Sequence, residues 1–170
     1  MCIGGGGGDS FLQEEYERQG AEEAARQGRI TAGKANIDNA FSGYDDAFYA
    51  GQAQNYMDYA TPQIEDQYTD AMRSLTRALA RNGTSQSSMA AERKGDMERK
   101  LADSQTDAAR QGQSFANDTR QSLASVKNNL ISQNQSLADP TLISNMAANQ
   151  SAAASQLPSY SPVANLFAGA

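Results

Sequence analysis

Large apolar residues are sparse along this chain, but where they occur they fall into helical rows. From about Arg29 onward, Ile30, Ile37, Phe41, Tyr44 and Phe48 recur at helix spacing, and Tyr56 and Tyr59 carry an aromatic-rich stripe toward residue 60. Ile64, Tyr68, Met72, Leu75 and Leu79 then line one face up to Asn82-Gly83, where glycine readily takes the left-handed backbone that ends a helix. After Thr84 or Ser85, either of which can cap the next helix, the pattern runs unbroken to about Leu137 in an eleven-residue rhythm. Phe115, Val126 and Leu137 make one row, Met97, Ala108, Thr119 and Leu130 a second, Leu101, Gly112 and Leu123 a third. Such a repeat, ~3.67 residues per turn, predicts a nearly straight or slightly right-handed rod of roughly 80 Å.

Punctuation residues divide the chain further. Residues 1–9 read as a flexible glycine-rich leader, because a glycine run with no strand ahead of it is a poor phosphate loop. Ser10 with Gln13 reads as a capping box opening an acidic helical arm over 10–81, with breaks near 28, at Gly28, and near 60, where Thr61-Pro62 predicts a kink or break. The run Asn82, Gly83, Thr84 and Ser85 is the corner of a hairpin, and 86–138 is a long, basic-leaning helix. Over 139–170, Asp139-Pro140 opens a short helix with Leu142, Ile143 and Met146 on one side. A tail rich in Pro, Ala and Ser follows, either frayed or docked in a groove of something else. The expected architecture is all-α: long helices in an extended αα-hairpin, an oligomeric helical bundle or tube, and flexible termini.

Composition explains why oligomers enter that expectation. Leu, Ile, Val and Phe number 23 among 170 residues, below the fifth of the chain that a self-sufficient core normally shows. Against disorder stand 29 Ala, 16 Gln and 11 Asn with only 4 Pro, a mixture that favours helix while leaving most faces polar. The rows through Leu75, Leu79, Met97, Leu101, Phe115, Leu123, Val126, Leu130 and Leu137 are therefore expected to form a narrow packing seam shared between copies in a homo-oligomer.

Charge is uneven. Residues 1–70 hold 13 acids and 4 bases, whereas 71–130 hold 10 bases and 6 acids, so the arms are expected to pair with each other or with a neighbouring copy. An acidic first half argues against a simple DNA-binding surface. In the cluster Arg93, Lys94, Arg99 and Lys100, the interleaved Glu92, Asp96 and Glu98 favour intrahelical ion pairs. Lining a channel, such mixed charge permits transient DNA contact without sticking.

No enzyme is expected. The chain has no histidine, which removes the commonest general base and every Ser-His-Asp or Cys-His arrangement. Adjacent carboxylates such as Glu14-Glu15, Glu22-Glu23, Asp45-Asp46 and Glu65-Asp66 point about 100° apart on a helix and make no preorganised pair. The single Cys2 excludes an internal disulfide and a multi-cysteine zinc site, and no cofactor signature is present.

The start "MCIGGGGGD", the helical body rich in Ala, Gln and Asn, and the stretch "ALARNGTSQSSMAAERKGDMERKLADS" resemble the small internal virion proteins, or DNA ejection proteins, of short-tailed bacteriophages; "ARNGTSQSS" is the motif-like part. The resemblance implies a virion protein held inside the capsid near the portal, released through the tail, and reassembled in the host cell envelope as part of a conduit for the genome. It also implies partners: the portal, larger ejection proteins and the host outer membrane. A competing expectation from the residues alone is an amphipathic surface-coating or stress-related protein that orders on lipid or hydrophobic surfaces.

Overall fold

The structure, a computed structural model, describes residues 8–156 and 159–167, with side chains from residue 11 onward. The glycine run at 4–7 and Cys2 lie outside the described residues, and the Ser10 side chain lies outside them too. The fold is all-α: α1 (Gly8–Phe41), α2 (Asp46–Arg81), α3 (Ser88–Leu137) and α4 (Pro140–Ala154), with no strand among the described residues.

The chain forms two compact units. Unit 1 takes the chain up to Gly43 together with Ser122–Ser155, and unit 2 takes Tyr44–Gln121 and the chain from Gln156 onward. Helix α3 contributes to both.

Neither Gly28 nor Pro62 ends a helix of the first arm, and a different interruption is present. α1 runs through Gly28 without interruption, since a glycine stops a helix by going left-handed and among the described glycines only Gly83 has positive φ. α2 runs through Pro62, whose missing N–H leaves the Asp58 carbonyl without its helical partner. Ala60 and Ile64, on either side of the proline, are fully buried, so packing carries the helix across it. The actual interruption is at residues 42–45, where Asp45 takes an extended backbone and its carboxylate accepts from the Phe48 amide at 2.9 Å. At the other boundary, α1 already includes Gly8 and Asp9, so the helix starts inside the glycine-rich leader that the sequence predicts over 1–9.

The hairpin corner between α2 and α3 is as expected in place and different in detail. Gly83 takes φ +68, its N–H donates to the Ala80 carbonyl, and the Thr84 N–H donates to the Leu79 carbonyl. These two bonds are a Schellman motif that satisfies the orphan carbonyls at the helix end. The cap of α3 is neither Thr84 nor Ser85: Ser87 Oγ accepts from the Ala90 amide at 3.1 Å, and the helix begins at Ser88.

In unit 1, the C-terminal end of α3 is held by two arginines of α1. Arg26 Nη2 donates to the Gln135 carbonyl and Arg29 Nε to the Ala138 carbonyl, each at 3.0 Å, so cations meet the negative end of the α3 dipole. The expected Asp139-Pro140 device is present, with the Asp139 carboxylate accepting from the Thr141 and Leu142 amides. The buried row of α4 is Ile143, Ala147 and Ser151, while Leu142 is exposed. In unit 2, residues 159–167 lie along α2, so the tail docks in a groove of its own chain.

Candidate functional site

With so few large residues in the chain, the packing seam carries meaning only if its residues meet, and most of them do. In unit 2, Leu75, Leu79 and Met97 cluster with Ala90 and Phe167, and Leu101 and Phe115 pack on a second cluster of Tyr56, Ala60, Ile64 and Ala108. In unit 1, Leu123 and Leu130 are buried and Val126 is half-buried. Leu137 is the exception: at 49 % exposed it is outside the seam.

The eleven-residue rhythm of α3 is visible in burial. Met97, Ala108, Thr119 and Leu130 are all buried. The row of Leu101, Gly112 and Leu123 extends one repeat each way, to Ala90 and Asn134, both 1 % exposed. The row of Phe115, Val126 and Leu137 is the edge of the stripe, half-buried at its first two positions. The seam is thus occupied by the chain's own elements in each unit. Sequence reasoning missed Ala90 and Asn134 because one is small and the other polar, although the eleven-residue step from Leu101 and Leu123 points to both.

Two glycines set how closely the helices approach. In unit 2, a Cβ on Gly112 would stand 2.7 Å from the Ala53 carbonyl oxygen, so α2 and α3 touch there backbone to backbone. In unit 1, the space a Cβ on Gly33 would fill is taken by the Asn134 amide. Asn134 Nδ2 donates to the Ile30 carbonyl at 2.7 Å, while its buried Oδ1 has no N–H or O–H partner and occupies the place where a Gly33 Cβ would stand.

The groove of unit 2 that holds 159–167 reads its backbone with two glutamines one helical turn apart. Gln63 Oε1 accepts from the Val163 amide at 3.1 Å and Gln67 Oε1 from the Leu166 amide at 3.0 Å, and Gln67 Nε2 donates to the Val163 carbonyl at 3.4 Å. Tyr160 seats its ring 5.1 Å from Tyr56, 5.2 Å from Tyr59 and 5.3 Å from Phe115, centroid to centroid. Neither glutamine was singled out in the sequence, where both look like solvated helix positions.

Burial pushes the phenols of Tyr49, Tyr56 and Tyr160 above the ordinary tyrosine value, with Tyr59 and Tyr160 adding to the effect at Tyr56 and Arg120 opposing it at Tyr49. The folded chain disfavours phenolate, so this contribution is intact while unfolded tyrosines stay protonated and is lost as pH rises through the raised values. Stability measured by urea unfolding is expected to fall above about pH 10, and Tyr160→Phe is expected to make that fall shallower. An unchanged alkaline slope in Tyr160→Phe counts against the buried phenol.

Electrostatics are mostly local. Arg18–Glu15, Arg26–Glu23, Arg73–Asp70, Arg99–Asp96 and Arg110–Asp107 each join residues three apart on one helix, and solvent screening leaves such exposed pairs little net stabilisation. The expected pairing between arms occurs at Arg120–Asp46 in unit 2, 2.5 Å, and at Lys127–Asp38 in unit 1, 2.8 Å. Hydrogen bonding from Lys127 draws the Asp38 carboxyl below its usual range. Of the basic cluster, Arg99 pairs with Asp96, whereas Arg93, Lys94 and Lys100 make no ion pair among the described residues.

No group of three His, Cys, Asp or Glu is placed to hold a metal among the described residues, and no helix among them is long and apolar enough to cross a membrane. What the arrangement offers is packing and recognition of chain by chain. Comparison with protein-family models, with characterised proteins and with solved structures finds no match to this sequence or fold.

Proposed function

We propose that this chain is an internal structural protein of a short-tailed bacteriophage virion, which leaves the capsid with the genome and assembles with copies of itself in the host envelope to aid DNA delivery. The observation that carries this reading is the make-up of the α3 seam. Ala90, Ala108, Gly112, Ala116, Thr119 and Asn134 stand in it beside only a few large residues. A seam so poor in large side chains gives little burial per residue, and a chain held by it opens and refolds at low free-energy cost. That suits a particle that must leave through a narrow tail.

Each unit is also built from few elements: α1, the end of α3 and α4 in unit 1, and α2, the rest of α3 and the tail segment in unit 2. The sequence likeness in "ARNGTSQSS" falls on the Schellman turn and the Ser87 cap, so the motif-like residues are those that build the hairpin corner. An amphipathic lipid coat has less support, because the apolar stripe that it needs to present is covered within each unit.

Mass spectrometry of purified particles tests the reading. The chain is expected in several copies in full virions and absent from particles emptied by ejection. Absence from full virions, or retention in the emptied capsids, overturns it.

A further inference from the structure

Among the described residues, nothing packs over residues 11–25 of α1. Residues 11–25 are exposed apart from a half-buried Glu15, although Phe11, Leu12 and Tyr16 are large and apolar, at 67 %, 55 % and 74 % exposed. A helical stretch of this length is marginal alone, so covering its apolar ridge would stabilise it. It carries five carboxylates and one arginine. That charge disfavours nucleic acid and anionic lipid as the cover and favours a basic protein surface.

Such a surface exists on this same chain. Between residues 73 and 100 the α2–α3 hairpin holds seven bases and three acids. There, an open recess of about 660 Å³ has an apolar floor of Leu75, Met89 and Met97 and a mixed rim of three bases and three acids, so the basic excess belongs to the hairpin as a whole and the recess supplies alternating charges; Met89 is 57 % exposed.

The two ridges match in spacing. On α1, Leu12, Tyr16, Gln19 and Glu23 follow steps of four, three and four; on α3, Met89, Arg93, Asp96 and Lys100 follow the same steps. All eight are exposed. Set parallel, Leu12 meets Met89, the Tyr16 ring meets the Arg93 guanidinium, the Gln19 amide meets Asp96, and Glu23 meets Lys100. Set antiparallel, Tyr16 meets Asp96 and Glu23 meets Met89, so the chemistry selects the parallel register.

We infer that residues 11–25 dock in parallel on the Met89–Lys100 ridge of a second copy, giving a head-to-tail contact between copies. The two surfaces differ, so the contact is heterologous and closes into a ring or continues as a filament, depending on the rotation per copy. It rests on the homo-oligomer part of the proposed function and not on the virion part.

Sedimentation velocity of the full chain over a concentration series tests it, with circular dichroism to check that each variant keeps its helix content. Tyr16→Ala, Glu23→Lys and Lys100→Glu are each expected to weaken association about tenfold, and Glu23→Lys mixed with Lys100→Glu to recover it. Reversals that leave association unchanged, or a mixture that fails to recover, overturn the contact while leaving the homo-oligomer standing. An unaltered chain that stays monomeric at every concentration overturns both.

Discussion

Gly33→Ala is expected to destabilise the chain by about 2 kcal/mol, although alanine is the better helix former by about 1 kcal/mol. The added methyl falls where the Asn134 amide already stands, and Asn134 is 1 % exposed. Swinging that amide aside breaks the 2.7 Å bond from Nδ2 to the Ile30 carbonyl and leaves buried polar atoms without partners, at roughly 1–3 kcal/mol. Asn134→Ala alone is expected to cost about 1–2 kcal/mol through the lost bond and the space left behind. In that background the sign reverses: Gly33→Ala then fills the vacated space and gains the helix propensity, stabilising by up to about 1 kcal/mol. Urea midpoints of the four chains give the coupling directly. Equal effects of Gly33→Ala with and without Asn134 would falsify the contact between them.

That pair shows where sequence reading stops. The long helices are legible because Leu101, Leu123, Leu130 and their neighbours repeat at a fixed step, which a helix alone explains. The partners that fill the seam between them are not, because Ala90, Ala108, Gly112 and Asn134 carry no hydrophobic signal of their own. Burial of a small residue depends on what approaches it, a property of the other helix.

The misplaced breaks have the same origin. Gly28 has open space beside it and keeps a helical backbone, so nothing local converts its propensity penalty into a stop. Pro62 is retained in α2 because Ala60 and Ile64 are packed on either side of it. The true break at residues 42–45 was written in Gly43 and the Asp45 cap, but Phe41, Tyr44 and Phe48 keep a helical rhythm across it. The tail was harder still, since its seat depends on Gln63 and Gln67, whose side chains look solvated until the segment 159–167 is laid beside them.

Tyr160→Ala is expected to cost about 3 kcal/mol and to loosen the whole docked segment 159–167, the strap along α2, because one ring serves three others. The loss comes from the ring and not the hydroxyl. Tyr160 Oη is buried with no hydrogen-bond partner, so Tyr160→Phe removes an unsatisfied polar atom and is expected to be neutral or slightly stabilising. Gln63→Ala and Gln67→Ala act on the backbone instead, each removing the acceptor of one strap amide at about 1 kcal/mol. Hydrogen exchange separates the two mechanisms. Tyr160→Ala should speed exchange at both Val163 and Leu166, Gln63→Ala chiefly at Val163, and Gln67→Ala chiefly at Leu166. If Tyr160→Phe proved as damaging as Tyr160→Ala, the strap would be held by a bond from the hydroxyl, and the ring cluster would be a consequence of docking and not its cause.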